Sequence, residues 1–518
     1  MLTITDALLN VVGKVALAAR SRPAAGLLTA VAVVYLYRLT KQRKRKAPSL
    51  RATFGGPTRF CNSLLGFVPQ SLEQAVSTFE ILADAYGDAY AMRFMGRDCL
   101  ILTDGKLIRE VFRKRPHSYV RTFNKDKIVR FTGMLTTEGE EWKRNRRLGA
   151  PAFNAANAAA MVPGDALVAK RFVRQLQKTA RQSDNRIVWE PRKSFVPVVF
   201  DCLFICVFGK DFHLVNPDDL SISGESQAIT DAMKDLASST DYILTHAVHS
   251  IMTQDCFPWN LHPMIKKFHS GLKLLGKFGE DLAAERRAEK ESTSRVDLLS
   301  KLLHLGKEDL QGNLLTFFIA GSDSTVLAMS WCLYYLCVYP DVQTRARAEV
   351  DLLGHDPETR DDLDNLSFIE SCLIESIRLQ PALAVLGHEA ITEVSVGGKK
   401  VAPGTRVIAL LRKHLRTSAG GGSLFKPDRW LSPDGSVDRA RVRDLLAFGA
   451  GPRQCPGTDT SLTTGTVMLA TILRHFEDIK HNSNISEVRK KIAVGTSPDN
   501  FTISMSPRKI SSLPYCDR

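Results

Sequence analysis

The sequence predicts a mainly α-helical protein with small β-sheets, organised as one large domain that follows an N-terminal membrane-anchor region. Helices are predicted where apolar residues recur at helical spacing over long segments. These segments are 72–86, 104–115, 138–149, 264–290, 311–336, 340–354 and 366–379. Shorter β-rich segments bounded by turn residues predict strands. They are 89–95, 98–103, 394–401 and 405–410.

Composition supports a large globular core. The chain has 518 residues, of which 44% are hydrophobic, and it shows no internal repeat. Its ten cysteines are scattered without a Cys-x-x-Cys pair. This distribution argues against a zinc cluster or a dense disulfide framework and favours buried, reduced thiols.

The net charge of +15 is concentrated in two basic blocks, at residues 41–46 and 143–147. Neither block is accompanied by a basic-aromatic stripe or by a nucleic-acid-binding module. We therefore expect no nucleic-acid partner. We expect the excess positive charge to interact with a membrane surface and an acidic protein partner.

The N-terminal region predicts membrane attachment. Residues 24–37 are apolar and lie between Arg22 and Arg38. A full span needs about 20 residues, but arginines at both ends can extend the reach of a shorter segment. The predicted organisation is an anchor region (1–40), a basic Pro/Gly hinge linker (41–58) and a catalytic domain (59–518). A mitochondrial presequence is the alternative, because no acidic residue occurs between Asp6 and Glu73.

Residues 314–339 form a second apolar segment, in which Asp323 is the one charged residue. The segment could span a membrane or run through the protein core. Its midpoint is the polar sequence Gly-Ser-Asp-Ser-Thr at 321–325. Because such residues are costly in lipid, we expect a core helix whose polar centre serves a buried cofactor.

The strongest chemical signal is a single cysteine, Cys455, within a Gly/Pro-rich loop. Glycines allow the backbone to approach a flat cofactor closely. The loop resembles the haem-binding signature of the cytochrome P450 family, Phe-x-x-Gly-x-Arg-x-Cys-x-Gly. The five specified positions are Phe448, Gly451, Arg453, Cys455 and Gly457. The resemblance extends over about residues 59–505 and implies the cytochrome P450 fold, with haem b as cofactor and Cys455 as the axial iron ligand.

Further motifs resemble the same family and occur in its order. Glu375 and Arg378 lie on one helix face, and with Arg429 they resemble the network that braces the cysteine loop. Another group is implied to bind the haem propionates; it comprises Trp142, Arg146, His388 and Arg453.

The polar centre of the apolar helix resembles the oxygen-activation motif of the family. Gly321, after Ala320, is implied to let the helix loosen over the haem, whereas Asp323 and a neighbouring hydroxyl are implied to relay protons. The family usually has Thr directly after the acid, but this chain has Ser324 followed by Thr325. Serine keeps the hydroxyl and lacks the methyl group that restricts its rotamer.

The implied function is that of a monooxygenase that inserts one atom of dioxygen into a lipophilic substrate. Electrons are expected from NADPH through NADPH–cytochrome P450 reductase, with cytochrome b5 as a further candidate partner. The expected location is the endoplasmic reticulum membrane, with the catalytic domain facing the cytosol; the alternative is the mitochondrion. Two other functions stay open: an isomerase or dehydratase of lipid hydroperoxides, and a non-enzymatic membrane haem-binding protein. The pair Asp323–Ser324 argues against both, because neither function needs a proton relay.

Overall fold

The structure is a computed structural model that describes residues 50–58, 66–122, 131–216, 263–288, 298–417, 421–482, 488–492 and 495–509, with parts of 227–239. The predicted anchor region, 1–40, lies outside the described residues. The same holds for the first part of the predicted linker and for residues 123–130.

Helices make up most of the described chain. They are α1 (Leu50–Phe54), α2 (Leu72–Tyr86), α3 (Gly105–Arg113), α4 (Gly139–Gly149), α5 (Ala155–Arg181), α6 (Pro191–Leu203), α7 (Pro263–Ala288), α8 (Leu298–Leu302), α9 (Lys307–Val338), α10 (Pro340–Leu353), α11 (Arg360–Asp364), α12 (Ser367–Leu379), α13 (Leu411–Arg416), α14 (Arg439–Asp444) and α15 (Thr458–His475). The predicted fold class, mainly helical with small sheets, is confirmed.

The strands form small sheets at the side of the helical body. They are β1 (Ala89–Phe94), β2 (Arg97–Leu102), β3 (Tyr119–Arg121), β4 (Ile187–Trp189), β5 (Leu386–Ala390), β6 (Val394–Val396), β7 (Lys399–Val401), β8 (Arg406–Ala409), β9 (Phe476–His481), β10 (Arg489–Ile492), β11 (Thr496–Asp499) and β12 (Ile503–Pro507). The largest sheet has the order β1-β2-β8-β5-β3, in which β2 and β8 are parallel. Its edge pairs Arg121 of β3 with His388 of β5, which places two polar side chains at the candidate site.

Helix α9 runs through the centre of the fold. It packs against α6, α7, α12 and α15. Its length and apolar composition would allow it to cross a membrane, but 67% of its most apolar 18-residue window is buried inside the protein. Pro340 follows the helix and begins α10, as expected for a residue that cannot continue a helix. In this structure α9 is a core helix.

The second half of the predicted hinge linker differs from the expectation. Residues 50–54 form α1, and the Gly55 carbonyl accepts a hydrogen bond of 3.0 Å from the Ala91 amide of β1. A Cβ on Gly56 would lie 1.9 Å from the Ala91 carbonyl oxygen. This stretch is therefore packed on the sheet, because its glycines permit a backbone contact that other residues would block.

Candidate active site

The loop that carries Cys455 is folded tightly before α15. Gly449 and Gly451 have φ values of 78° and 70°, which favour glycine. A Cβ on Gly451 would lie 2.9 Å from both the Arg113 Cα and the Phe112 carbonyl oxygen. The Cys455 amide donates to the Phe448 carbonyl at 2.8 Å. The loop is thus held by its own backbone and by close contact with α3.

The Cys455 side chain has solvent-accessible surface, although protein surrounds it. Burial raises the pKa of its thiol, whereas the Gly457 amide, the Arg146 guanidinium and the Thr458 hydroxyl lower it. Ala320, near the middle of the core helix α9, is also exposed. Accessible surface at both positions is expected if each faces a bound cofactor.

Arg453 connects the cysteine loop to the segment before α4. Its Nη2 donates to the Thr137 carbonyl at 2.6 Å and to Glu138 Oε2 at 2.5 Å. Its guanidinium lies 4.3 Å from the centre of the Trp142 ring, within the range of a cation–π contact. Burial lowers the pKa of Arg453 to about 9. Within the described chain, its buried Nε and Nη1 atoms have no hydrogen-bond partner.

His388 lies beside Arg453 and is buried. Arg115 Nη1 lies 3.1 Å from His388 Nε2, and Arg115 Nη2 donates to Glu138 Oε1 at 2.8 Å. Burial, followed by the charges of neighbouring arginines, holds the pKa of His388 well below its usual value. The Nδ1 atom of His388 and the Nε atom of Arg115 are buried without a partner among the described residues.

These side chains form a cluster with excess positive charge. The charged groups that influence Arg453 are Glu138, Arg115, Arg121 and Arg146. One carboxylate therefore faces four guanidinium groups, and buried polar atoms normally have partners. The two carboxylates of haem supply both the missing charge and the missing acceptors. The residues present thus fit haem, with a cysteine to bind iron and a basic cluster to bind the propionates.

The predicted propionate ligands lie in one region of the protein. His388, Arg453 and Trp142 share this cluster. Arg146 is near enough to both Arg453 and Cys455 to influence their pKa values, and its Nη1 lies 3.9 Å from Met134 Sδ. Its role as a propionate ligand stays a prediction.

The polar centre of α9 divides into two environments. The Asp323 carboxylate forms an ion pair with Arg192 of α6 and is one-third exposed. The Ser324 hydroxyl donates to the Ala320 carbonyl at 2.9 Å. The Thr325 hydroxyl is buried and lies 3.1 Å from the Ser461 hydroxyl of α15. The Thr325 side chain thus contacts both the Gly321 carbonyl, at 3.3 Å, and α15, the helix that follows the cysteine loop.

Gly321 lies within a helix that is continuous over Lys307–Val338. A Cβ on Gly321 would lie 3.0 Å from Leu203 Cδ2. The missing side chain thus leaves room for Leu203 of α6 beside α9. The predicted loosening of the helix over the haem stays a prediction.

Glu375 is fully buried and accepts hydrogen bonds with both carboxylate oxygens. Arg378 donates to both of them at 2.8 Å, Arg429 donates to Oε1 at 3.0 Å and the Trp430 indole donates to Oε2 at 2.8 Å. The Lys426 amide adds a fifth bond at 2.9 Å. The three predicted bracing residues are thus in mutual contact, on the segment that leads to the cysteine loop.

Arg378 and Arg429 also bind the backbone of the loop that precedes Arg429. Arg378 donates to the Gly422 carbonyl at 2.7 Å and to the Leu424 carbonyl at 3.1 Å. Arg429 donates to the Gly421 carbonyl at 2.8 Å. The glycine-rich loop is therefore part of the bracing network.

Sequence reasoning missed four charged residues of this region: Arg115, Arg121, Glu138 and Arg192. Their positions follow from contacts between segments far apart in the chain. Only Glu138 could have been found from a local pattern: it lies one helical turn before Trp142 and is therefore on the same helical face.

The fold and the site define a haem-thiolate protein: a helical body in which a glycine-rich loop presents one cysteine beside a basic cluster.

Comparison with known proteins gives the family. The sequence model of the cytochrome P450 family matches residues 56–505. The chain belongs to the cytochrome P450 family, and its cofactor is haem b. The family, fold and cofactor predicted from the sequence are thereby confirmed.

Curated relatives share about a quarter of their residues with this chain. The self-sufficient cytochrome P450 monooxygenase CYP505E3 of Phanerodontia chrysosporium is 26% identical over 480 residues, covering 88% of this chain and 43% of the relative. Cytochrome P450 4d2 of Drosophila melanogaster is 25% identical, with coverage of 83% and 90%. A bifunctional cytochrome P450/NADPH–P450 reductase of Bacillus cereus is 24% identical, with coverage of 83% and 40%. The chain thus spans about two fifths of the length of the first and third of these relatives.

Proposed function

We propose that the protein is a monooxygenase that inserts one atom of dioxygen into a lipophilic substrate, with Cys455 as the axial ligand of the haem iron. The observation that carries the proposal is the placement of Cys455. Its side chain has accessible surface, on a loop that its backbone and α3 hold in position. A thiolate ligand donates electron density to the iron and favours O–O cleavage when haem is bound.

The proposed proton path uses Asp323 and Ser324. Asp323 has access to solvent and lies beside Arg192, so it can exchange protons with water while its position is held. Ser324 lies next to it on α9 and is hydrogen-bonded to the carbonyl of the exposed Ala320. In this proposal Thr325 holds α9 against α15 through Ser461 and takes no part in the relay.

The pair Asp323–Ser324 also favours a monooxygenase over an isomerase or dehydratase of lipid hydroperoxides. Rearrangement of a hydroperoxide requires neither external electrons nor delivery of protons for water formation. An acid–alcohol pair next to an exposed position of the core helix would have no task in that chemistry. A non-enzymatic haem carrier is disfavoured for the same reason.

We propose that electrons come from NADPH through a flavoprotein reductase, with cytochrome b5 as a second candidate donor. Support comes from relatives whose names state a P450 joined to such a reductase. The basic residues of α4 provide a docking surface for an acidic donor. Two of them are already paired within the chain, Lys143 with Glu140 and Arg144 with Asp309, whereas Arg147 is exposed. When the donor docks, Lys143 and Arg144 therefore exchange their partners within the chain for acidic groups of the donor.

The substrate is proposed to be lipophilic because an apolar side chain is exposed close to buried residues. Leu383 is 40% exposed between the buried residues Pro381 and Ala384. By position in the family, the segment 383–386 is implied to face the substrate, as are 121–135 and 497–501.

Membrane attachment is part of the same proposal. It is supported by the apolar segment 24–37 and the basic residues that follow it. We propose the endoplasmic reticulum membrane, with the catalytic domain in the cytosol, and keep the mitochondrion as the alternative.

The carbon monoxide difference spectrum of the reduced full-length protein tests the iron ligand. Wild type should show the strongly red-shifted Soret band of a thiolate-ligated haem. Cys455→Ala should lose it, whereas Cys337→Ala, a cysteine on α9 away from the loop, should retain it. A red-shifted band in Cys455→Ala would disprove the ligand assignment.

The reaction class is tested separately with labelled dioxygen. Incubation with lipophilic substrates, NADPH and reductase should place one labelled atom in the product. Turnover of lipid hydroperoxides without reductase, together with no label incorporation, would support the isomerase or dehydratase instead.

A further inference from the structure

We infer that Glu138 and Arg115 are positioning residues that prepare His388 and Arg453 to bind the haem propionates. Glu138 orients two arginines, and Arg115 determines which nitrogen of His388 carries the proton. The inference rests on the proposed placement of haem between Cys455 and α9.

Glu138 uses both carboxylate oxygens within the cluster. Oε1 accepts from Arg115 Nη2 at 2.8 Å and from the Arg121 amide at 3.2 Å. Oε2 accepts from Arg453 Nη2 at 2.5 Å. Because an arginine fork has fixed geometry, each bond also fixes the direction of the N–H groups that remain free. Glu138 thus aligns two arginines from segments 338 residues apart.

Arg115 determines the tautomer of His388. A guanidinium group has donors and no acceptor. The contact of 3.1 Å between Arg115 Nη1 and His388 Nε2 therefore requires Nε2 to be the acceptor. In a neutral imidazole the proton must then be on Nδ1, which becomes a donor. That Nδ1 atom is buried and unpartnered within the described chain.

The His388 ring is held firmly enough to direct this donor. It packs against Phe112 with ring centres 5.2 Å apart. Its backbone lies in the central sheet, where β5 pairs with β3 on one side and β8 on the other. The arginines around the ring disfavour a second proton, so His388 acts as a neutral donor.

The charge balance explains why a carboxylate is needed at position 138. Without Glu138, the cluster would hold Arg115, Arg121 and Arg453 with no negative charge until haem bound. Like charges in an enclosed site repel strongly, because the surrounding protein screens them poorly. Glu138 offsets part of this repulsion and still leaves positive charge for two propionates.

The inference predicts opposite effects of the two residues on the reduction potential of the iron. Reduction adds one electron to the haem, so nearby positive charge favours it. Glu138→Gln removes a negative charge and should raise the midpoint potential. Arg115→Gln removes a positive charge and should lower it. Arg115→Lys keeps the charge and should leave the potential near that of wild type.

Haem retention tests the tautomer in the holoenzyme. Haem transfer to excess apomyoglobin should be roughly tenfold faster or more in Arg115→Met, whose side chain has no donor for His388 Nε2, because one hydrogen bond to a charged propionate is lost. In a His388→Gln background, whose amide is a donor without help from Arg115, the same substitution should have a much smaller effect.

Shifts of potential in the same direction for Glu138→Gln and Arg115→Gln, or equal effects of Arg115→Met on haem transfer in both backgrounds, would overturn the inference. The red-shifted carbon monoxide band separates this result from failure of the proposed iron ligand. Its presence in wild type and in every variant shows that the ligand is intact, whereas its absence from wild type would refute the placement of haem itself. If Glu138→Gln lowers the yield of folded protein, Glu138→Asp provides a second test. This variant keeps the negative charge, so its midpoint potential should be close to that of wild type.

Discussion

Replacing Arg378 by lysine should strongly destabilise the folded protein, although the charge is conserved. Arg378 is 1% exposed, makes two bonds of 2.8 Å to Glu375 and donates to the Leu415, Gly422 and Leu424 carbonyls. A lysine ammonium has three donors around one atom and cannot reach all of these acceptors. We expect two or three buried acceptors to lose their donors, at a cost of about 2–4 kcal/mol in the free energy of unfolding.

A matched substitution is available on the surface of the same region. Arg439 also binds a carboxylate through two nitrogens, that of Glu370, but its side chain is 38% exposed. Arg439→Lys should cost less than about 1 kcal/mol, because water replaces the lost contact. Urea titrations of the full-length variants, followed by tryptophan fluorescence and by the Soret band, measure both effects. Equal unfolding midpoints for the two variants would refute the argument that buried geometry, and not charge, makes Arg378 necessary.

Three further predictions concern the core helix, the cysteine loop and a buried acid. Asp323→Asn should keep haem bound but slow substrate oxidation about 100-fold or more, as expected when a proton-transfer group is lost; wild-type turnover would exclude the relay. Gly451→Ala should lower the thermal midpoint far more than Gly404→Ala, since both have positive φ but only Gly451 lies against backbone atoms; similar losses would show that the close approach is unimportant. Burial raises the pKa of Asp165 to about 6, so the folded state binds this proton more tightly than the unfolded state does. The stability that the bound proton contributes is therefore lost as the pH rises from about 4 to about 6. Asp165→Asn should remove that decline and stabilise the protein above pH 6, by up to roughly 3 kcal/mol; an unchanged pH profile from urea titrations would contradict this.

Much of the fold was predictable because local patterns coincide with the tertiary structure. The helix predicted at 72–86 has those bounds, and it begins at a Ser71 cap and ends at Gly87. The segment 394–401 was predicted as one β-rich piece and is the hairpin of β6 and β7. The core helix was predictable because its polar centre is incompatible with lipid. In each case a signal within a few residues determined the outcome.

The missing elements had weak local signals. Helix α15 contains six threonines and a glycine in 18 residues, and these residues have low helix propensity. The helix forms because it is buried against α5, α9 and α12. Helix α5 includes Pro163 and was not predicted either. Tertiary packing overrides propensity at both places.

The site was predictable where a motif is local and less so where distant segments meet. Cys455 and Glu375 were identified from short sequence patterns. Gly321 lies against Leu203 of α6, and the Thr325 hydroxyl lies beside Ser461 of α15. No short motif predicts these two contacts, and the roles of both residues at the cofactor stay predictions. The cluster of Arg115, Glu138 and His388 arises from contacts up to 273 residues apart. Contacts between residues so far apart in the chain do not affect the hydrophobic periodicity of the sequence.

The close approach of Gly451 to Arg113 has a consequence for biosynthesis. One side of the haem site comes from the segment around Arg113, whereas the cysteine loop and the Arg429 brace lie beyond residue 420. A ribosome must therefore translate at least as far as residue 455 before these two segments can meet, and closing a loop of that length is slow. Until then the early segment, with its cluster of like charges, lacks contact with the cysteine loop. Cofactor capture is thus a late event, and any truncated chain that ends before residue 455 would lack the iron ligand.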